Sequence, residues 1–185
     1  MNLHIDLAPN HPAYDWVEKQ ADKIGAKGHV GTHIDCYTST PTLTKYCLPV
    51  FILDCRKSMP SSEDIALLPS LENKALILFT NNMATHAYGS KSYFEDIDTS
   101  INEAALTLIL EKQPHFILID SYGIGRHGRH GQHHIDMDKR CEQSNCYVIE
   151  NIMLTAEDID QIAEIQITID LNYPSTGKPC RVSYQ

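Results

Sequence analysis

Short runs of consecutive apolar residues and stretches of helical periodicity alternate along this chain. Val50 to Leu53 and Leu76 to Phe79 are continuous apolar runs, the pattern of strands covered on both faces. Phe116 to Ile119 and Tyr147 to Ile149 are similar, and each stops at an acidic residue, Asp120 and Glu150. Ile165 to Leu171 alternates apolar with polar positions, as a half-buried strand does, and Leu3 to Leu7 reads as a short edge strand. Between these lie helical patterns. One runs from about Tyr14 to Ile24, after the prolines at 9 and 12, and Gly25 can end it. In another, Ala104, Leu106, Ile109 and Leu110 recur at helical spacing behind a capping-box pair, Ser100 and Glu103, until Pro114. A third covers about Ile135 to Asn145, and a short fourth runs from Thr155, as cap, to Ala163. Strands and helices mixed throughout, with no repeat and no linker, predict an α/β fold with one domain over residues 1–185.

A chain of 185 residues can bury one sizeable core without staples, so its six cysteines read as thiols, with Cys36 and Cys47 buried. Cys141 and Cys146 with His133 or His134 lack the paired spacing of a zinc clamp. The net charge of −9 argues against nucleic acid, whose recognition needs a basic patch. No apolar run approaches the roughly 20 residues of a membrane span, and Met1 to Asp6 lacks the features of a secretory signal. The expected setting is cytoplasmic and the expected partner a small molecule.

The connection from Ser121 to His134 holds four glycines together with Arg126, His127, Arg129, His130 and His133. Connections this long in compact domains are commonly functional, and its place after the strand ending at Asp120 suggests a substrate-binding flap.

The segment His29-Val30-Gly31-Thr32-His33-Ile34-Asp35 puts two imidazoles and a carboxylate within one short stretch. On a straight strand the two histidines would stand about 13 Å apart, too far to share an ion. On a helix they would be neighbours, but Asp35 would point away. Gly31 permits a sharp bend that lets both histidines converge. Zinc accepts such nitrogen and oxygen donors at about 2.0 to 2.2 Å, and three protein ligands leave a position for water.

The string His29-x-Gly31-Thr32-His33-x-Asp35 closely resembles the metal-binding signature of the cyclase family, which includes bacterial kynurenine formamidases and isatin hydrolases. Ile5-Asp6-Leu7, Tyr93-Phe94, Ile119-Asp120-Ser121 and Ile149-Glu150-Asn151 resemble further family landmarks, in the family's order. The resemblance implies a swivelling β/β/α fold, a homo-oligomer such as a dimer or tetramer, and one or two divalent ions, zinc or manganese. By position, His29, His33 and Asp35 match the first ligand group, Asp35 being able to bridge two ions, and Glu150 matches the distal carboxylate ligand.

Three positions depart from that pattern. Ser39 occupies the place of the histidine that serves formamidases as general acid or base, and Tyr37 that of a proline. Asp138 replaces a histidine ligand twelve residues before Glu150. A serine hydroxyl titrates too far from neutrality to replace imidazole unaided. A carboxylate can still ligate, and His134, four residues earlier in the predicted helix, shares a face with Asp138 and could chelate with it. The resulting expectation is a metal-dependent hydrolase that cleaves a small amide, lactam or ester with a metal-activated water. Ser39 and His130 are the candidate catalytic side chains beside the metal set, with His127 and His86 as other possible acids. The competing expectation is a catalytically degenerate protein that binds metal and ligand on the same scaffold.

Overall fold

The computed structural model describes residues 1–5, 7–8, 10–15, 27–126 and 131–185. Apolar runs and β-branched residues build seven strands: β1 His33–Asp35, β2 Lys45–Asp54, β3 Ala75–Phe79, β4 Phe116–Ile119, β5 Tyr147–Glu150, β6 Glu164–Ile169 and β7 Gly177–Ser183. They lie in the order β1-β5-β4-β3-β2-β6-β7, and β7 pairs with β1 to close a barrel. The stretch from β2 through β3 and β4 to β5 is parallel, with Val50 beside Ala75, Ala75 beside Phe116 and Phe116 beside Tyr147. The other pairings are antiparallel.

Five helices are described: α1 Ser62–Ala66, α2 Asn82–Thr85, α3 Lys91–Glu95, α4 Glu103–Glu111 and α5 Gly131–Gln143. Period-2 alternation sends the apolar residues of β3, β4 and β5 to two different cores. Ala75, Ile77, Phe79, Leu118, Ile149, Ile165 and Ile167 fill the barrel. Leu76, Leu78, Ile117, Ile119 and Val148 face outward and meet Leu106 and Ile109 of α4 and Met137 and Cys141 of α5. Burial on both faces explains why β3, β4 and β5 are legible as unbroken apolar runs.

Several local expectations need correction. The described residues of the Leu3 to Leu7 segment are not in a strand: Asn2 makes an isolated bridge to Ser183, while the Leu3 N–H donates to Val182 O and its carbonyl accepts from Met153 N. Val50 to Leu53 is only half-buried. Here β2 passes from pairing with β6 to pairing with β3, and Phe51 and Leu53 lie at the margin of the helix-side core. The cap of α4 is Asn102, whose Oδ1 accepts from Ala105 N at 2.8 Å, so Ser100 lies outside the helix and Glu103 is its first residue. Residues 156–161 form successive turns instead of a helix. The Asp158 carboxylate takes Thr155 N, Thr155 Oγ1 and the Tyr184 hydroxyl, which ties this segment to the C-terminal strand. Helix α5 starts at Gly131, earlier than the periodicity suggests. Cys36 is buried, but Cys47 is exposed, its thiol donating to Glu164 at 2.9 Å. Residues 12–15 are helical, and the rest of the predicted Tyr14 to Ile24 helix lies outside the described residues. Among the described residues, no helix is long and apolar enough to cross a membrane.

Candidate metal centre

The bend expected at Gly31 falls just before β1, where this residue has φ +63°, a conformation that a residue without Cβ adopts freely. Its N–H donates to the Tyr88 hydroxyl at 2.8 Å. The turn brings the His29 and His33 rings to 4.9 Å between centroids. Within β1, Ile34 points into the barrel, so His33 and Asp35 point out, towards α5. His29 Nδ1 then lies 3.0 Å from Asp35 Oδ1, and His33 Nε2 lies 3.7 Å from the same oxygen.

Strand register adds a further carboxylate. His33 stands opposite Glu150 in the antiparallel pair of β1 and β5, and Glu150 Oε2 is 3.5 Å from His33 Nε2. Helix α5 adds two more side chains at successive turns: His134 Nε2 is 3.3 Å from Asp138 Oδ2 and 3.2 Å from Glu150 Oε1. His29, His33 and Asp35 form one group able to hold an ion, and Asp35, His134 and Asp138 form another, with ligand atoms within 4.8 Å of one another in each. Asp35 belongs to both. Except for His29, which is partly exposed, these side chains are buried.

The hydrogen bonds around the cluster orient it. His33 Nδ1 is 2.9 Å from Gly31 O, and since a carbonyl only accepts, this nitrogen carries the proton and leaves the Nε2 lone pair facing Asp35 and Glu150. Asn151 Nδ2 donates to the same carbonyl at 3.0 Å. His29 Nε2 meets Thr176 Oγ1 at 2.9 Å, which turns Nδ1 to Asp35. His33 Nε2, Asp35 Oδ2 and Asp138 Oδ1 are buried with no hydrogen-bond partner among the described residues. Such atoms are costly to bury alone, and cations held by the two ligand groups would satisfy them. The donor set of three imidazoles and three carboxylates fits a divalent ion.

Protonation follows the crowding of charge. Burial lowers the affinity of His134 for a proton, but Asp138 and Glu150 outweigh it and raise the pKa to about 10. His29 is also raised, with Asp35 overcoming its burial. Burial would raise Asp35, yet the histidines around it hold it well below the usual carboxylate range. Asp138 is pushed well above that range, chiefly by burial.

Ser39 is exposed, with its hydroxyl 3.2 Å from that of Tyr147 and no bond to the cluster. His130 and His127 lie outside the described residues. His86 bonds Asn82 Oδ1 at 2.7 Å, away from the cluster. Cys141 and Cys146 are packed in the helix-side core and belong to neither ligand group. A cleft of about 590 Å³ opens among Ile5, Tyr14, Gly31, Tyr173 and Arg181, and none of the six cluster residues lines it.

Other parts of the site were not anticipated from sequence. Glu142 continues the stripe of His134 and Asp138 by one more turn of α5 and accepts from the Tyr37, Thr38 and Ser39 amides. Its spacing was a usable signal. Gly123, at φ +102°, passes so near that a Cβ there would stand 2.1 Å from Glu150 Oε1 and 2.4 Å from His134 Cε1. Asp120 is fully buried but holds Thr80 and Asn81 instead, accepting from Thr80 N, Thr80 Oγ1 and Asn81 N.

No protein-family model matches the sequence, and no curated protein matches it either. Solved structures do match. A potential metal-dependent hydrolase with cyclase activity superposes with a TM-score of 0.67 at 18% identity, over 98% of this chain and 94% of that one. An isatin hydrolase bound to the product analogue thioisatinate gives 0.61 at 16% identity, over 85% and 73%. A predicted metal-dependent hydrolase from Bacillus stearothermophilus gives 0.59 at 20% identity, over 84% and 76%. This is the fold of the cyclases and isatin hydrolases. The swivelling β/β/α fold of the cyclase type implied by the sequence resemblance is therefore the observed architecture; its strands close into a barrel, and it carries the cluster where β1, β5 and α5 meet.

Proposed function

We propose that this chain is a metal-dependent hydrolase that cleaves the C–N bond of a small amide or lactam, aryl formamides included, or a small ester. The observation that carries the reading is the pair of ligand groups sharing Asp35, with buried ligand atoms that a cation would satisfy. His29, His33 and Asp35 would hold one ion, and Asp35, His134, Asp138 and Glu150 a second. The mixed nitrogen and oxygen set favours zinc, with manganese next. A divalent ion there supplies a carbonyl-polarising charge and a water acidified from a pKa of about 15.7 to near 7. The chain's own part is to hold the His33 lone pair and the carboxylates in place before substrate arrives, so that little reorganisation accompanies the reaction.

A second reading, a metal- and ligand-binding protein without turnover, draws on the position of Ser39, whose hydroxyl faces Tyr147. One experiment separates the two. Purified protein is expected to contain one or two divalent ions per chain and to hydrolyse at least one of formanilide, isatin and 4-nitrophenyl acetate, with the activity lost on chelation and restored by zinc or manganese. His33→Ala should lose metal. Metal without hydrolysis of any probe favours the second reading. Equal metal in wild type and His33→Ala, or none in either, overturns both.

A further inference from the structure

The segment after Asp35 is fastened to the metal-bearing helix with unusual completeness. Three consecutive amides donate to one carboxylate: Tyr37 N and Thr38 N at 2.5 and 2.7 Å, and Ser39 N at 2.9 Å, all to Glu142. Thr38 Oγ1 donates to it as well. Glu142 lies one helical turn beyond Asp138, so the rigid element that presents His134 and Asp138 also sets the position of residues 37–39. Charge-assisted bonds of this kind hold a backbone firmly.

The side chain so positioned is Tyr37. Its ring is half-buried and lies 6.0 Å from the His29 ring, at 30° to it. His29 belongs to the first ligand group, so this ring contact places the Tyr37 phenol beside the metal centre. Among the described residues, none hydrogen-bonds the Tyr37 hydroxyl. Ser39, by contrast, turns its hydroxyl to Tyr147. The group available beside His29 is thus a phenol, which can donate to an oxygen that gains negative charge.

We propose that the Tyr37 hydroxyl is the hydrogen-bond donor that receives the substrate's carbonyl oxygen, and afterwards the product's carboxylate, at the metal centre, with Glu142 as its positioning residue. The inference rests on the metal-dependent reading above. A site of this kind takes small acyl compounds whose product is a carboxylate.

The test uses the full chain loaded with cobalt(II) and benzoate as a carboxylate probe, with binding read from the cobalt visible spectrum. Tyr37→Phe is expected to bind as much cobalt as wild type and to bind benzoate about tenfold more weakly, the size of one good hydrogen bond. Glu142→Gln should also weaken benzoate, and should add little to Tyr37→Phe, because the two act on one contact. Unchanged benzoate affinity in Tyr37→Phe overturns the proposal, as does weakening in Tyr37→Ala alone, which would leave Tyr37 only an aromatic wall. Wild type that binds cobalt and not benzoate also overturns it while sparing the metal site. Failure of wild type to bind cobalt removes the metal reading itself.

Discussion

His33 and Glu150, 117 positions apart in sequence, face each other across the antiparallel pair of β1 and β5, and His33 Nε2 lies 3.5 Å from Glu150 Oε2. The contact is set by strand register, and a slip of one residue would turn one of them into the barrel. Glu150→Gln keeps the shape but removes the charge that also faces His134. Its expected result is an unchanged fold by circular dichroism and a metal affinity lower by at least tenfold in a competitive chelator titration. Wild-type affinity in this variant would remove Glu150 from the ligand set.

Gly123 tests the packing over the same carboxylate. A methyl group there would come within 2.1 Å of Glu150 Oε1, and φ +102° is unfavourable for any residue with a Cβ. Gly123→Ala is expected to lose more than about 1 kcal/mol of stability and to lower metal content. Urea unfolding and metal analysis of one preparation check both, and a variant with wild-type values of each would show that residues 122–124 can shift at no cost.

How much of this was legible in the sequence depended on the range of the interaction. The apolar runs of β3, β4 and β5 were readable because helices cover one face and the barrel interior the other. Gly31 was readable because the two histidines and Asp35 could converge only if the chain turned between the histidines, and their rings do lie 4.9 Å apart with His29 Nδ1 3.0 Å from Asp35. Capping was less secure: Ser100 and Asn102 are both good caps, and the choice fell to Asn102 in a context where Ile101 is buried in the core. The turns at 156–161 depend on Tyr184, far away in sequence, which engages Asp158. The spacing of Glu142 put it on the stripe of His134 and Asp138, but its role was not legible, because a carboxylate on a helix usually meets solvent, whereas this one captures three amides.

Asp120 makes a pH dependence measurable. Burial raises its pKa from 3.8 to about 6, against the opposing effect of the bonds from Thr80 and Asn81. The folded state therefore holds this proton more tightly than the unfolded state. Its contribution to stability is fullest below about pH 4 and is lost as the pH rises through about 6, a change of order 3 kcal/mol. Asp120→Asn should abolish that part of the slope. Its amide can still accept from Thr80, but one of its ends must now present N–H to Asn81 N–H, so it is expected to be less stable than wild type at pH 7. Urea midpoints from pH 4 to 7 measure the difference between the two proteins. Parallel curves would show that Asp120 does not titrate in this range.

Asn151 controls the centre at one remove. Its φ of +60° suits asparagine, and its Nδ2 donates to Gly31 O, the carbonyl that also fixes the protonated nitrogen of His33. Tyr93 donates to Asn151 Oδ1, which keeps the carboxamide from flipping. Asn151→Ala removes the brace on Gly31 O and leaves a residue poorly suited to positive φ, so both metal affinity and stability should fall. The affinity loss is expected to be 10- to 100-fold, the usual range when a ligand histidine loses its orienting partner. Asn151→Gly separates the two effects, because glycine adopts the same φ without strain. If it recovers stability while metal affinity stays low, the carboxamide acts on the His33 tautomer and orientation. If it recovers both, the backbone conformation alone matters, and the Asn151 side chain has no part in orienting His33.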